Sequence, residues 1–315
     1  MLSRRSFVQM AGAALVAQGA NVPDVLPSAE GEEQATLPRL GVVVWVRAND
    51  TPDAVVARVA KLGFSTCQIG FDNLSLSCAH PLREALAKHG IEATALLELG
   101  PGRTVWNFYE GPITIGLIPT ETRSGRVQAL KTAADVAAEC GIPAVHTHCG
   151  FIPESPNDPL YRDAVVVISD VASYCKQRGR MMFCETGQET PVTLLRMIED
   201  VGVDNVFVNL DTANLILYGK GNPVDAMDVI GARVRGIHAK DGLFPTDPKN
   251  LGAEVPIGKG KVDFRRVIER LHDFNYRGAI SIEREIDGED QTQDILASKQ
   301  YLENIIAEVY GGSIG

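Results

Sequence analysis

The chain of 315 residues is 45% hydrophobic, has a mean hydropathy of zero and carries a formal net charge of -10. That length suits one large domain or two small ones with an ample apolar core. The negative balance argues against nucleic acid or an anionic membrane surface as a partner, and against a polyanionic substrate unless a local basic pocket overrides the global sign.

Residues 1–20 stand apart from the fold. Ser3-Arg4-Arg5-Ser6-Phe7 precedes the short, weakly apolar run 10–17, the pattern of a twin-arginine export signal. The run is too short for a stable membrane anchor, and Ala17-Gln18-Gly19 supplies a small-x-small cleavage site. Export places the mature chain in the periplasm, and losing two arginines and no acids takes its charge from -10 to -12. The plainer alternative is a basic tail. Residues 21–38 contain three prolines and the acidic run 30–33, show no periodicity and read as a disordered leader. The domain is expected over 39–310, with a tail at 311–315. Six cysteines, none in a C-x-x-C pair, read as buried thiols rather than a disulfide framework or a zinc site, although an exported chain leaves one bridge open.

From Leu40 the pattern alternates strand and helix. Leu40–Val46 is a β-rich run, Thr51-Pro52-Asp53 opens a helix with a cap and a proline, and Ser65–Phe71 is the second strand. Pro81–His89 is a helix, Ile91–Leu99 the third strand, and residues 100–119 a long loop carrying Trp106, Phe108 and Tyr109. A loop of that length in a compact domain is more often functional than idle. The helix Glu121–Cys140, the strand Pro143–His148, the helix Pro159–Arg178 and the strand Met181–Thr186 follow. Then come a helix from Thr190-Pro191 to Val201, the strand Asn205–Asp211, the helix Pro223–Ile230 and the strand Arg233–His238. A Gly/Pro-rich loop from Gly242 to Lys261 leads to the helix Phe264–Phe274, the eighth strand Gly278–Glu283 and a last helix at about Gln291–Val309.

Eight strands alternating with eight helices over about 275 residues predict a single α/β domain, a closed (β/α)8 TIM barrel. A doubly wound sheet usually carries a Gly-rich phosphate turn after its first strand. Here that strand ends Trp45-Val46-Arg47-Ala48-Asn49.

Strands five to eight each end in a candidate ligand: Glu185, Asp211, His238 and Glu283, spaced by 26, 27 and 45 residues. Such a barrel brings strand ends to one rim. A lone acid at a strand end is more often a helix cap or a solvated charge, and a lone histidine is as often a satisfied core residue. Capping does not explain four on successive strands. The set is hard and mostly oxygen, suited to Mn2+ or Mg2+, with Co2+ or Zn2+ as further candidates, and leaves two positions of an octahedral ion for adjacent substrate oxygens.

These residues resemble the xylose-isomerase-like TIM barrels, which include sugar and sugar-phosphate isomerases and epimerases, ketose 3-epimerases and inosose-processing enzymes. The resemblance spans roughly Leu40 to Ile306. It rests on Glu185-Thr186-Gly187, Asp211-Thr212-Ala213-Asn214, His238-Ala239-Lys240-Asp241, the run Ile257 to Phe264 and Ile282-Glu283-Arg284-Glu285. It implies that Glu185, Asp211, His238 and Glu283 hold the metal. One departure is Asn214, where ketose 3-epimerases carry a histidine three residues after the aspartate.

The chemistry expected is proton transfer through an enediolate, with Glu185 and Glu283 on opposite sides of the substrate carbon, one abstracting and the other returning a proton. Candidate substrate contacts are His148, on the same strand face as His146, and Asn214, Lys240, Asp241, Glu98 and Trp45. The bland reading of each is a structural histidine, an ion pair or core packing. Lys259 and Lys261 read as solvated. The leading function is a divalent-metal isomerase or epimerase of a small-molecule sugar, polyol or cyclitol, with a homodimer left open. A lyase acting on a 3-keto sugar, keto-glycoside or inosose uses the same residues. A metal-dependent endonuclease would need more histidines and a basic face, and a non-catalytic sugar-binding barrel would not need both glutamates.

Overall fold

The computed structural model describes residues 37–311. The export signal, the leader up to residue 36 and the tail from residue 312 lie outside the described residues. Eight parallel strands close into a barrel. They are β1 (Arg39–Val46), β2 (Thr66–Phe71), β3 (Glu92–Leu97), β4 (Ala144–Thr147), β5 (Met181–Glu185), β6 (Val206–Asp211), β7 (Val234–Ala239) and, after an antiparallel ribbon of β8 (Asp241–Gly242) and β9 (Glu254–Val255), β10 (Ala279–Ile282). Between and after them lie α1 (Pro52–Lys61), α2 (Ala79–His89), α3 (Gly111–Thr114), α4 (Thr120–Cys140), α5 (Pro159–Gln177), α6 (Pro191–Val201), α7 (Asn214–Leu217), α8 (Pro223–Ile230), α9 (Phe264–Asp273) and α10 (Glu289–Tyr310).

Local chemistry explains the helix starts. Thr51, Asp158, Thr190, Asn222 and Asp263 each accept a backbone N–H of the helix that follows, and four of the five helices begin with proline. Such a cap contributes about 1 kcal/mol, and proline at the first position gives up no hydrogen bond. Along β1, Val42, Val44 and Val46 turn outward and share one apolar core with Val55, Val56 and Val59 of α1. The alternate positions face the interior. There Ala95, Ala144 and Phe183 form a small separate floor with Met181 and Phe207 against it. Buried polar residues from four strands, Gln68, His146, Asn209 and His238, share that interior.

The sequence pattern anticipates the eight barrel strands but not the ribbon or the single-turn helices α3 and α7, because one turn carries no periodicity. The 100–119 loop is fastened rather than free. The fully buried Arg126 of α4 donates to the carbonyls of Pro101, Arg103 and Gly116. A bridge between Asn107 and Asn250 ties this loop to the one after β8. All six cysteines are free thiols, four of them fully buried. No described helix is long and apolar enough to cross a membrane.

Candidate metal centre at the barrel mouth

Glu185, Asp211, His238 and Glu283 converge, each offering one ligand atom within 4.8 Å of the others'. Three come from strand ends, and Glu283 follows the last residue of β10. Register sets the height: Asp211 lies opposite His238, and Glu185 opposite Asn209.

Asp211 anchors the set. Its Oδ1 accepts the backbone N–H groups of Ala213 and Asn214 at 2.8 and 2.7 Å. Its Oδ2 is buried with no hydrogen-bond partner, 3.8 Å from Lys240 Nζ and 4.0 Å from His238 Nδ1. Burial, reinforced by Glu283 and Glu185, pushes this carboxyl well above its usual range. An orphaned buried carboxylate oxygen costs free energy unless a cation meets it.

His238 is oriented from below. Its Nε2 donates to Gln68 Oε1 at 3.0 Å, and Gln68 Nε2 donates to Asn209 Oδ1 at 2.9 Å across the interior. A carbonyl oxygen only accepts, so the imidazole keeps a proton on Nε2 and turns Nδ1 to the carboxylates. Nδ1 lies 3.1 Å from Glu185 Oε1 and 3.5 Å from Glu283 Oε2. Burial alone would lower the pKa of His238; Glu283 and Glu185 outweigh it and hold it well above the ordinary value.

Glu185 is the most surrounded acid. Oε1 also accepts from Asn214 Nδ2 at 3.2 Å. Oε2 sits 2.9 Å from His148 Nε2 and 3.0 Å from His146 Nε2, the latter without the alignment of a hydrogen bond. Burial would raise its pKa, but the imidazoles of His148, His238 and His146 hold it well below the carboxylate range. For His148, burial is likewise outweighed by Glu185 and the pKa rises; for the enclosed His146, burial wins and it falls. His148 Nδ1 is 3.1 Å from Gln188 Nε2, which also donates to the Tyr218 hydroxyl at 3.1 Å. The ring of Trp106, from the 100–119 loop, stands edge-on to His148 at 4.9 Å.

Glu283 offers Oε2 to the cluster, and Oε1 makes no hydrogen bond among the described residues. The Lys240 ammonium, only 3% exposed, contacts Glu283 Oε2 at 3.1 Å and Glu285 Oε2 at 2.6 Å. Burial would lower the lysine's pKa; Glu283 and Glu285 raise it well above normal. Against burial, Lys240 and His238 in turn hold Glu283 below its usual range.

Two expected contacts lie elsewhere. Asp241 does not face the mouth with a free oxygen. Its carboxylate accepts four backbone N–H groups, from Gly242 and Val262 on Oδ1 and from Gly258 and Gly260 on Oδ2, at 2.8–3.1 Å. It staples the loop before α9, and Gly260 approaches so closely that a Cβ there would meet Oδ1 at 2.1 Å. This replaces the expected substrate hydroxyl or ion pair, because every lone pair is taken. Glu98 is buried, accepts the Gly100 N–H at 2.6 Å and makes no hydrogen bond to the four-ligand cluster. Trp45 lies over Gly70 of β2, whose added Cβ would clash with its ring at 2.6 Å, and so lines the interior wall. Lys259 and Lys261 are exposed. His146, Gln68 and Gln188 are the residues that strand-end reasoning passed over. The i, i+2 relation to His148 was the available signal for His146; nothing local marks Gln68, which acts from the opposite wall.

The donor set fits a divalent ion: three carboxylates and one imidazole, with an unpartnered buried oxygen and a ring nitrogen aimed inward. Comparison with known proteins agrees with this architecture. A solved xylose isomerase domain protein from Planctomyces limnophilus is 31% identical, with a TM-score of 0.81 over 87% of this chain and 100% of that one. An uncharacterised protein of Methanocaldococcus jannaschii is 26% identical over 197 residues, 58% of this chain and 64% of its own length. The chain thus spans under two thirds of that relative, and 33% of a second curated relative from Escherichia coli. The 3-keto-D-glucoside 4-epimerase of Escherichia coli shares the fold at 17% identity, with a TM-score of 0.62 over 85% of this chain and 99% of that one, as does a xylose isomerase-like TIM barrel protein from Mycobacterium smegmatis in complex with magnesium at 18% and 0.64, over 86% of this chain and 97% of that one. Residues 56–305 match the family described as xylose isomerase-like TIM barrel. With that match covering most of its length, the chain belongs to the xylose isomerase-like TIM barrel family.

Proposed function

We propose that this protein is a divalent-metal-dependent isomerase or epimerase of an unphosphorylated sugar or cyclitol, working by proton transfer next to a carbonyl. The observation that carries the reading is the placement of two glutamates, from β5 and after β10, on one imidazole nitrogen, His238 Nδ1, at 3.1 and 3.5 Å. Sugar epimerases among the fold neighbours support it. Glu185, Asp211, His238 and Glu283 would hold the ion, which when bound supplies polarisation of a substrate carbonyl.

The side chains divide the remaining work. Glu283 Oε1 is free to take the proton from the carbon beside the carbonyl. Glu185 Oε2, between His146 and His148, is placed to pass to the carbon a proton supplied by the Nε2–H of His148, while Gln188, donating to His148 Nδ1 and to the Tyr218 hydroxyl, holds that ring in place. Lys240 keeps Glu283 ionised and oriented. Its ammonium is engaged by Glu283 and Glu285, so the mouth offers no spare lysine to a phosphate. The twin-arginine reading of residues 1–20 favours the same unphosphorylated class.

Lys240 also favours a second reading, β-elimination, because an ammonium beside the base can protonate a departing oxygen. The test is incubation of the Mn2+- or Mg2+-loaded chain with keto sugars, keto-glycosides and inososes in D2O. Deuterium beside the carbonyl in an isomer otherwise unchanged supports epimerisation. Loss of water or an aglycone supports the lyase, and no exchange with any compound overturns both.

A further inference from the structure

The barrel wall has a gap beside Glu283. Pairing between β1 and β10 ends at Val42 and Ile282, yet β1 continues to Val46. Past Ile282 the chain swings away and is held there: Arg284 contacts Glu254 at 2.9 Å and Asp294 at 2.8 Å, and the Glu285 N–H donates to Glu254. A cavity of about 420 Å3 occupies the opening. Its lining includes Trp45 and Glu283 together with Val42 and Val44 of β1, Val55 of α1 and Ile295 of α10. Val42 and Val44 belong to the outer core and Trp45 to the interior wall, so the cavity crosses the wall of the barrel.

We propose that this cavity is a second binding subsite, which takes a ring joined glycosidically to the reacting sugar, so that the substrate is a keto-glycoside rather than a free ketose. The inference rests on the reading of Glu283 as a proton-transfer residue in the proposed function. Its volume falls in the range of small-molecule pockets, and its lining is mixed, with apolar residues of β1, α1 and α10 beside charged and amide side chains. The half-buried Trp45 ring, beside Glu283, suits the apolar face of a sugar or aryl ring, with Val44 and Val55 at the edge of the packed core behind it. The rim carries Arg47 and Arg58 against Asp50 and Asp287. The whole lining holds three arginines (Arg47, Arg58, Arg284) and four carboxylates (Asp50, Glu283, Glu285, Asp287), which draw no anion, and Arg47 already pairs with Asp287 at 3.4 Å, so the rim suits hydroxyls of a neutral group rather than a phosphate.

The test is titration calorimetry of the Mn2+-loaded full chain with phenyl α- and β-D-glucopyranoside, cellobiose and maltose, each against D-glucose. At least one two-ring probe should bind tenfold or more tightly than D-glucose. Ala54→Trp and, independently, Arg58→Trp, which fill the cavity from exposed positions on α1, should abolish that gain without changing the melting temperature. Equal binding of one- and two-ring probes overturns the subsite, as does a gain that survives both substitutions. Deuterium exchange run in parallel separates the two claims. A ring preference without exchange leaves the subsite standing and removes the epimerase reading, and exchange without ring preference does the reverse.

Discussion

His238 Nε2 lies 3.0 Å from Gln68 Oε1, on the opposite side of the barrel interior, and that one contact decides which nitrogen faces the carboxylates. Gln68→Ala should therefore weaken Mn2+ binding by about 10- to 100-fold, the usual effect of losing the outer partner of a ligating imidazole. Calorimetry checks it; Asn209→Ala should show a smaller loss, since it acts on His238 only through Gln68.

Asp211 separates metal binding from folding. Its unpartnered Oδ2 makes the buried charge a cost to the metal-free chain. Asp211→Asn should melt at or above the wild-type temperature in EDTA, yet gain nothing from added Mn2+. The wild type should gain about 2.7 kcal/mol at a hundredfold excess over Kd. Thermal scans with and without Mn2+ give the comparison, and a variant still stabilised by the ion would remove Asp211 from the ligand set.

Glu185→Gln and Glu283→Gln should each slow substrate C–H exchange by about 10^2- to 10^4-fold, the range of a lost general acid or base. Exchange at the wild-type rate in metal-loaded variants counts against the assigned roles.

Glu189 predicts a pH dependence of stability. Its carboxyl is buried, has no hydrogen-bond partner, and burial pushes it up to about 8. Below the ordinary value of 4.5 the folded and unfolded chains both hold the proton and nothing is lost. As pH rises further, the unfolded chain releases it while the folded chain keeps it, so stability falls until about pH 8, by roughly 4–5 kcal/mol at most. Denaturant unfolding from pH 5 to 9 should show Glu189→Gln losing less stability than the wild type over this window; parallel curves would assign the slope to other groups.

Arg126 predicts loop behaviour. It donates to three carbonyls of the 100–119 loop from full burial. Arg126→Ala should speed amide exchange in residues 101–116 by tenfold or more while α1 is unchanged, a pattern mass spectrometry resolves.

Proline after a capping side chain, glycine after a helix and apolar strand runs are local signals, and they determined the alternation, the barrel and the four strand-end side chains that meet at its mouth from sequence alone. Strand ends in a closed parallel barrel share one rim, so Glu185, Asp211, His238 and Glu283 needed no long-range information beyond strand count. The tertiary structure alone decided the rest. Asp241 and Lys240 are neighbours in sequence, yet one is consumed by four backbone amides and the other by two carboxylates, because the loop returns over the first and β10 brings Glu283 and Glu285 to the second. Gln68 reaches His238 from 170 residues away. Such contacts depend on which side chains the closed wall places face to face, a relation among strands that no local pattern encodes.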